Sequence, residues 1–469
     1  MTDEEITGLF GNAGDLIRRE LVCGRHRIYA YMIDGLVSGG TVSDYVFHPL
    51  VGMDEETMEK FYRRALEGQV YNCVAQACKD LGDAAVRIVN GFCVVLFPGV
   101  GALAFEAKTG EKRGISPPDM ENTVKGPRDA FTETVRTNTS LLRRHLRTPG
   151  LRLDQKTVGR RSLTLVTVAW IEGLTSPELV ERMKRRLDEI DVDGFLSNAA
   201  VEEYVSGSRL TPFPLLQVTE RTDKFAQGLL SGRVGLLVDG LPVGYLLPVD
   251  LGELMSSPED RGMDFMSASF VRILRWGALV LSLILPGFYI ALATFHQQMI
   301  PLALLRSMIE SKKNVPFSTA GEVAGLLLAF ELLQEAGIHL PQSVGQSVSI
   351  IGGIVVGTAA VEASLVSPAA LIVVSLAGIC GFSLPSRDFA QALRLCRMGI
   401  VVLSAAAGLF GTSVGILLLV IHLSGLTSMG IPYLAPFSRM EEPEFLRPRL
   451  VTNRFRPVRL HPLDRRNQK

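Results

Sequence analysis

The sequence predicts an α/β protein with transmembrane α-helices: two similar α/β lobes in a water-soluble N-terminal half, followed by a helical membrane domain. Apolar residues form no long run before about Arg275 and then fill long runs as far as Leu426. The first run, Trp276–Phe295, holds no charged residue, and a helix needs about 20 apolar residues to cross a bilayer core about 30 Å thick. In the N-terminal half, strand-like and helix-like patterns alternate, which is typical of mixed α/β structure.

The composition excludes several classes of function. The chain has 469 residues with 48 basic and 48 acidic side chains, so no net field attracts nucleic acid and we expect no nucleic-acid partner. Its N-terminus carries mixed charges without an apolar stretch, unlike a secretory signal, so we expect the soluble half to lie in the cytosol. The six cysteines lack metal-ligand spacing, which predicts buried small side chains and neither a metal nor a disulfide.

Nothing in the sequence predicts catalysis. We find no phosphate-binding loop, dinucleotide fingerprint, zinc-protease motif or nucleophile elbow. The seven histidines are scattered, and no pattern pairs a nucleophile with its base. We therefore predict a protein that is not an enzyme and has no catalytic residues and no cofactor.

The N-terminal half contains a repeat. Arg27–Leu36 and Leu165–Leu174 are β-rich runs that both end in Ile, an acid, Gly and Leu. Further on, Cys93–Phe105 and Val234–Pro248 both have the pattern of a hairpin with a Gly-containing turn. The offset is about 140 residues in both cases, and this agreement predicts two related lobes.

The linker predicted between the lobes is basic. Arg143–Arg161 carries seven Lys or Arg side chains besides His145. A solvated helix and loop would account for them, and so would a surface that docks on a partner subunit or on anionic lipid, where each nearby cation gains about 1 kcal/mol. Nucleic acid is disfavoured because no aromatic side chains are interleaved. The residues predicted to form such a surface are Arg128, Arg143, Arg144 and Arg147.

Four apolar runs predict four membrane-spanning helices: Trp276–Phe295, Val348–Val366, Ala369–Leu384 and Gly399–Leu423. Four crossings return the C-terminus to the cytosol, where a tail with nine basic residues fits the positive-inside bias. The arginines before the last run would then lie outside, which does not fit this bias. Either the hairpin at 348–384 is partly re-entrant, or another segment also crosses, for which the amphipathic Ser318–Leu333 is the candidate. The predicted domains are a first lobe (1–115), a basic linker (116–154), a second lobe (155–265), a membrane domain (266–426) and a basic cytosolic tail (427–469).

The predicted spans carry the candidate functional residues. Glu362 sits deep in Val348–Val366, and a carboxylate there is costly unless it faces a cavity, a partner or an ion path. The alternative is a protonated Glu that hydrogen-bonds a neighbouring helix. The predicted ion-pathway residues are Glu362, Thr358, Ser364 and Ser367. Small residues allow close helix packing within a subunit or between copies, and those predicted to do so are Gly353, Gly357, Gly411 and Gly415.

An ordered set of short motifs runs through nearly the whole chain. It begins with GPRDAFTETVRTNTSLLRRHLR at 126–147 and continues with Asp239-Gly240-x-Pro242 and with Ser269, Arg272 and Arg275. Further motifs follow as far as Ser349-Ile-Ile-Gly352. In this order they resemble the A-subunit family of bacterial spore germination receptors, the GerA type. A few positions depart from the family pattern, namely Asp129, Ser318 and Gln334, which leaves the subgroup open.

The resemblance implies an A subunit of a nutrient germinant receptor in the spore inner membrane. Its implied partners are a transporter-like B subunit that binds the germinant, a C-subunit lipoprotein, further copies of itself and membrane lipid. Such subunits are expected to oligomerise through the membrane half into a ligand-gated cation channel that triggers germination. A related branch, linked to the dipicolinate-release proteins, amplifies ion release instead. A non-conducting membrane scaffold is a further alternative, and a secondary transporter is disfavoured because the repeat lies in the soluble half.

Overall fold

The structure is a computed structural model, and it describes residues 1–11, 13–70, 73–108, 118, 121, 126–195, 197–206, 211–339, 353 and 355–434. These residues form two compact units. One unit, the lobed unit, holds the two five-stranded sheets and comprises the described residues up to 206 together with 215–248. The other, the helical unit, comprises 211–214 and the described residues within 249–434.

The first lobe is a five-stranded antiparallel sheet covered by short helices. Its helices are α1 (Asp3–Phe10), α2 (Gly39–Val42), α3 (His48–Val51), α4 (Met58–Arg64) and α5 (Leu81–Val89), with π-helical turns at Ser43–Phe47 and Ala65–Gln69. Its strands are β1 (Leu16–Cys23), β2 (His26–Ile33), β3 (Ala75–Ala77), β4 (Phe92–Phe97) and β5 (Gly101–Glu106), in the order β1-β2-β4-β5-β3. The core lies between β4, β5 and the apolar face of α5, whose N-terminus is capped by Asp80.

The second lobe has the same architecture. Its helices are α6 (Val135–His145), α7 (Pro177–Asp188), α8 (Asn198–Ser206) and α9 (Thr222–Leu230). Its strands are β6 (Leu151–Val158), β7 (Thr164–Ile171), β8 (Gln217–Thr219), β9 (Val234–Val238) and β10 (Gly244–Leu247), in the order β6-β7-β9-β10-β8. Equivalent strands lie about 140 residues apart and occupy the same sheet positions. The prediction of two similar α/β lobes is therefore confirmed.

Glycines at equivalent turns show the same repeat in the backbone. After the acid of each Ile-acid-Gly-Leu motif, Gly35 has φ 79° and Gly173 has φ 82°. In the β4–β5 and β9–β10 turns, Gly99 has φ 80° and Gly240 has φ 86°. Side chains disfavour this left-handed conformation, so each turn requires glycine in both lobes.

The predicted linker, 116–154, differs from what the structure contains there. Its last part forms α6 and the beginning of β6. Val135, Leu142 and Leu146 of this region belong to the hydrophobic core of the second lobe, in a cluster that also contains Phe225 of α9. The basic sequence therefore forms an amphipathic helix that belongs to the second lobe.

The helical unit is built on long apolar helices. They are α10 (Leu251–Leu254), α11 (Phe265–Thr294), α12 (Leu302–Lys312), α13 (Thr319–His339), α14 (Ala360–Glu362) after a π-helical turn at Val355–Ala359, α15 (Pro368–Phe382) and α16 (Arg387–Gly425). Short 3-10 turns lie at Pro258–Arg261 and Gln297–Met299, and a small hairpin pairs β11 (Thr427–Ser428) with β12 (Ile431–Pro432). Among the described residues, α11 and, counted over its whole length, α16 are long and apolar enough to cross a membrane, and α15 is a shorter apolar helix.

The chain folds back on itself within α16. Ala407 and Gly408 leave the helical conformation, Gly408 with φ 61°. Ser404 Oγ lies 2.7 Å from Thr412 Oγ1, eight residues on, whereas eight residues of straight helix rise about 12 Å. Residues 387–406 and 409–425 are thus two antiparallel arms, and the prediction of a single span over Gly399–Leu423 is wrong in this respect.

The other predicted spans map onto the helical unit in different ways. Trp276–Phe295 falls in α11 and Ala369–Leu384 largely in α15. Ser318–Leu333, the alternative span, lies in the continuous helix α13. Residues 348–352 and 354 of Val348–Val366 lie outside the described residues, and the rest of that run includes the π-helical turn and α14. The predicted basic tail from residue 435 onward also lies outside the described residues.

Candidate functional site

The four predicted ion-pathway residues differ in how deeply the structure buries them. Glu362 ends the short helix α14 and is exposed on the surface of the helical unit. Thr358 is also exposed, and Ser364 is half-buried with φ 55°. Ser367 is buried and caps α15, with its Oγ 3.4 Å from the Ala370 backbone N–H. Ser367 is therefore the member of this set that is built into the interior.

The partner of Ser367 is a buried carboxylate on α13. The backbone N–H and the hydroxyl of Ser367 both donate to Glu322 Oε2, at 3.0 and 2.7 Å. Lys312 Nζ lies 3.1 Å from the other oxygen, Oε1, and also bonds the Thr319 hydroxyl. Local sequence does not reveal this pairing, because the partners of Glu322 lie on two other helices, α12 and α15.

A second charged cluster pairs α13 with the first arm of α16. Arg394 Nη1 lies 3.0 Å from Glu331 Oε2, and Arg397 Nη2 lies 3.1 Å from Oε1 of the same carboxylate. Arg397 is buried. The sequence analysis treats these arginines as part of a loop, but they lie on α16, where one carboxylate neutralises part of their charge.

The predicted packing glycines divide into two pairs. Gly411 and Gly415 lie on the second arm of α16, where a Cβ on Gly411 would overlap the Leu403 carbonyl oxygen and one on Gly415 would lie 3.0 Å from Ile400 Cγ1. These two glycines let the arms approach within one chain. A Cβ on Gly353 or Gly357 would meet no described atom within 4 Å.

The predicted basic surface is partly interior. Arg128, Arg144 and Arg147 are exposed. Arg143 is fully buried, and its guanidinium makes a two-pronged ion pair with buried Asp15 of the first lobe, at 2.7 and 2.9 Å. The expectation that Arg143 lies on a partner or lipid surface is wrong, since burying both charges is tolerated only where they pair so completely.

Helix α6 makes further contacts both within its own lobe and with the first lobe. Within the second lobe, Asp239 in the β9–β10 turn accepts the Val135 N–H at 2.9 Å and so caps α6. Arg136 Nη2 lies 2.5 Å from Asp34 Oδ1 in the first lobe. We call Asp15, Asp34, Arg136 and Arg143 the lobe clasp. The clasp unites the basic motif at 126–147 with the first Ile-acid-Gly-Leu turn.

A polar cluster also anchors the start of this motif. His145 Nε2 lies 2.5 Å from Asp129 Oδ2, and the Thr222 hydroxyl donates to the same oxygen at 2.6 Å. The hydrogen bond from His145 lowers the pKa of Asp129 to about 2. In return, the Asp129 carboxylate raises the pKa of the His145 ring. Asp129 therefore links the segment before α6 to His145 at the end of α6 and to Thr222 of α9.

Comparison with known proteins decides the family. The family model described as Bacillus/Clostridium GerA spore germination protein matches residues 4–458. This chain belongs to the GerA family. Its GerA relatives include spore germination protein KA of Bacillus subtilis strain 168, 34% identical over 91% of this chain and 79% of that protein, and spore germination protein GerLA of Bacillus cereus, 32% identical over 93% and 89%. The uncharacterized membrane protein YfkQ of Bacillus subtilis strain 168 is 33% identical over 93% and 86%.

One solved structure also resembles the chain. It is the N-terminal domain of the A subunit of the Bacillus megaterium spore germinant receptor GerK3, with a TM-score of 0.40 and 25% identity over 51% of this chain and 91% of that chain.

In this GerA-family chain, both arginines of the motif formed by Ser269, Arg272 and Arg275 bind one carboxylate. Arg272 Nε lies 2.9 Å from Asp260 Oδ2, and Arg275 Nη1 lies 2.7 Å from Oδ1. Asp260 is buried and also accepts the Ser257 N–H at 3.2 Å. The motif therefore fixes the beginning of α11, and sequence spacing alone did not point to Asp260 as its partner.

Proposed function

We propose that this chain is the A subunit of a nutrient germinant receptor that forms a ligand-gated cation channel. Membership of the GerA family supports a role in spore germination, and that family is not a known class of enzymes. The finer proposal is that several copies assemble through the helical unit around a pore. Binding of a nutrient by a partner shifts the assembly from a closed to an open packing.

The position of Glu362 carries the channel proposal. Its carboxylate is exposed at the end of α14, in a unit whose neighbouring helices α11, α15 and α16 are apolar. Facing lipid, a carboxylate at mid-membrane depth costs roughly 2.5–3.5 kcal/mol. A water-filled path formed between copies removes that cost and supplies a negative charge that attracts cations.

The proposed setting follows from the same reading. The helical unit lies in the spore inner membrane, the lobes lie in the cytosol, and the complex contains a transporter-like B subunit and a lipoprotein C subunit. Relatives named as spore germination proteins support the setting. The exposed arginines Arg128, Arg144 and Arg147 are then available to partner subunits or to anionic headgroups.

Substitution of Glu362 tests the channel. We expect Glu362→Gln to leave assembly with the partner subunits intact and to lower germinant-stimulated potassium flux by about tenfold, since one lost charge weakens cation attraction by roughly 1–2 kcal/mol. Flux from liposomes that contain the purified complex is the measurement. Glu310→Gln, at an exposed acid on α12, is the matched control and should conduct normally.

A non-conducting scaffold makes the opposite prediction. If Glu362→Gln assembles normally and neither potassium flux nor germination rate changes, the carboxylate is not in an ion path. The ion-release amplifier is distinguished by partners: it would conduct without the nutrient-binding B subunit.

A further inference from the structure

We propose that Glu322 forms a monovalent-cation site in the helical unit, which the ammonium group of Lys312 occupies in this state. Glu322 is buried, and its two oxygens have different surroundings. Oε2 accepts both Ser367 hydrogen bonds. Oε1 is buried and faces Lys312 Nζ at 3.1 Å.

The Glu322 carboxylate is fixed in position by its partners on other helices. Ser367 is the N-cap of α15, a helix of 15 residues, so the Glu322 carboxylate lies at the positive end of the helix dipole. A buried carboxylate is tolerated only where a cation balances its charge. In this structure the Lys312 ammonium balances the charge of Glu322.

The Lys312 ammonium stands where such a cation would bind. It carries one positive charge, like a potassium ion, and it also contacts the Thr319 hydroxyl. The Lys312 side chain is about a third exposed and borders an open cavity of about 500 Å³. Polar side chains that line the cavity include Tyr289, Thr294, Gln297, Ser318 and Thr319. Hydroxyl and carboxylate oxygens replace water around a monovalent cation.

The helix that carries Lys312 is weakly held. None of the 11 residues of α12 is buried in the part of the chain that the structure describes. Few buried contacts mean that little free energy opposes its displacement. Withdrawal of α12 would remove the Lys312 ammonium and expose Oε1 to a cation from the cavity. The consequence for gating rests on the proposed channel function, whereas the binding site itself does not.

A thermal shift with potassium tests the site directly. The full-length chain, purified in detergent, is heated in potassium chloride and in N-methyl-D-glucamine chloride of equal ionic strength. For Lys312→Met, we expect the Tm to rise by roughly 3 °C once potassium exceeds its Kd several-fold. The Tm of each control should not differ between the two salts. The controls are wild type, Lys312→Arg and Lys313→Met, a substitution at the exposed neighbour.

The double variant Lys312→Met/Glu322→Gln completes the series. Without the carboxylate, its Tm should not respond to potassium. A folded Lys312→Met protein whose Tm is the same in both salts overturns the proposal, and so does an equal potassium response in the double variant.

If Lys312→Met does not fold, chemical labelling of the wild-type chain tests the cation site at Glu322. Potassium that competes for Glu322 releases the Lys312 amine, so acylation of Lys312 by an N-hydroxysuccinimide ester should become at least about twice as fast in potassium chloride as in N-methyl-D-glucamine chloride. Lys313, which is exposed, should react equally in both salts. Equal rates for Lys312 in both salts would overturn the site.

Flux measurements separate this proposal from the channel proposal. In liposomes with the partner subunits, Lys312→Met should conduct potassium without germinant. If the thermal shift is present but the wild-type complex never conducts, the cation site stands and the channel function fails. If wild type conducts but neither the thermal shift nor the labelling difference occurs, the site fails and the channel stands.

Discussion

Arg143 and Asp15 are both buried, and each supplies the counter-charge of the other across the two lobes. In the helical unit, buried Asp260 pairs with buried Arg275 in the same way. Half-buried Glu331 is shared by Arg394 and buried Arg397. Losing one member of such a pair leaves an uncompensated buried charge, which costs about 3–5 kcal/mol. At the scale of single residues, charge pairing over long sequence distances fixes the interior.

Removal of the Arg143 guanidinium should therefore destabilise the lobed unit. We expect Arg143→Ala to lower the free energy of unfolding by about 3–5 kcal/mol, and Asp15→Ala to do nearly the same. The double variant should lose less than the sum, because the two side chains act as one pair. Chemical denaturation of the purified full-length chain measures this. Arg144→Ala, at the exposed neighbour, should cost almost nothing; equal effects of the two arginine substitutions would contradict the clasp.

The sequence could not indicate which arginine is buried. Arg143 and Arg144 are adjacent and chemically identical, and Asp15 lies 128 residues away from Arg143. Glu362 was predicted as functional because it interrupts an apolar run, and it is exposed. Glu322 lies in a more polar segment, yet it is buried with a charged partner from another helix. The polarity of the neighbouring sequence therefore predicts neither whether a side chain is buried nor which distant residue pairs with it.

At the scale of the elements, the close packing of the two arms of α16 depends on small residues. The arms meet where Gly411 faces the Leu403 backbone, and the turn between them requires the left-handed conformation of Gly408. Gly287 of α11 also faces this bundle, since a Cβ there would lie 2.6 Å from Ser404 Oγ. The first arm packs closely only because these positions lack side chains.

A single methyl group should disturb this hairpin. We expect Gly411→Ala to destabilise the helical unit by about 1–3 kcal/mol, since the Cβ overlaps backbone that cannot rotate away. Gly399→Ala on the first arm is the matched control, because a Cβ there meets nothing within 4 Å. It should be neutral or stabilising by up to about 1 kcal/mol, as alanine favours helix. Thermal unfolding in detergent is the measurement, and a Gly411→Ala protein as stable as Gly399→Ala would refute this packing.

Periodicity and repetition predicted some elements and not others. The lobes were predictable because two strand patterns recur at one offset and their turns need glycine at Gly35 and Gly173. The reversal at Gly408 was not, because the apolar run continues through it and glycine is common in membrane helices. Helix α6 was assigned to a linker because its exposed face is strongly basic, while its buried face contributes Leu142 to the core.

For the whole molecule, we propose that the two units have different roles. In the lobed unit the lobe clasp joins the two lobes, and the helical unit contains long apolar helices whose buried charges are paired. Membership of the GerA family places both in spore germination. The central claim is that copies of the helical unit together conduct cations.

Potassium efflux from liposomes tests that claim most directly. The purified wild-type chain, reconstituted with its partner subunits, should release trapped potassium when germinant is added and should retain it without germinant. Liposomes with the partner subunits alone are the control and should retain potassium in both conditions. A fully assembled complex that stays impermeable to potassium in the presence of germinant would contradict the account.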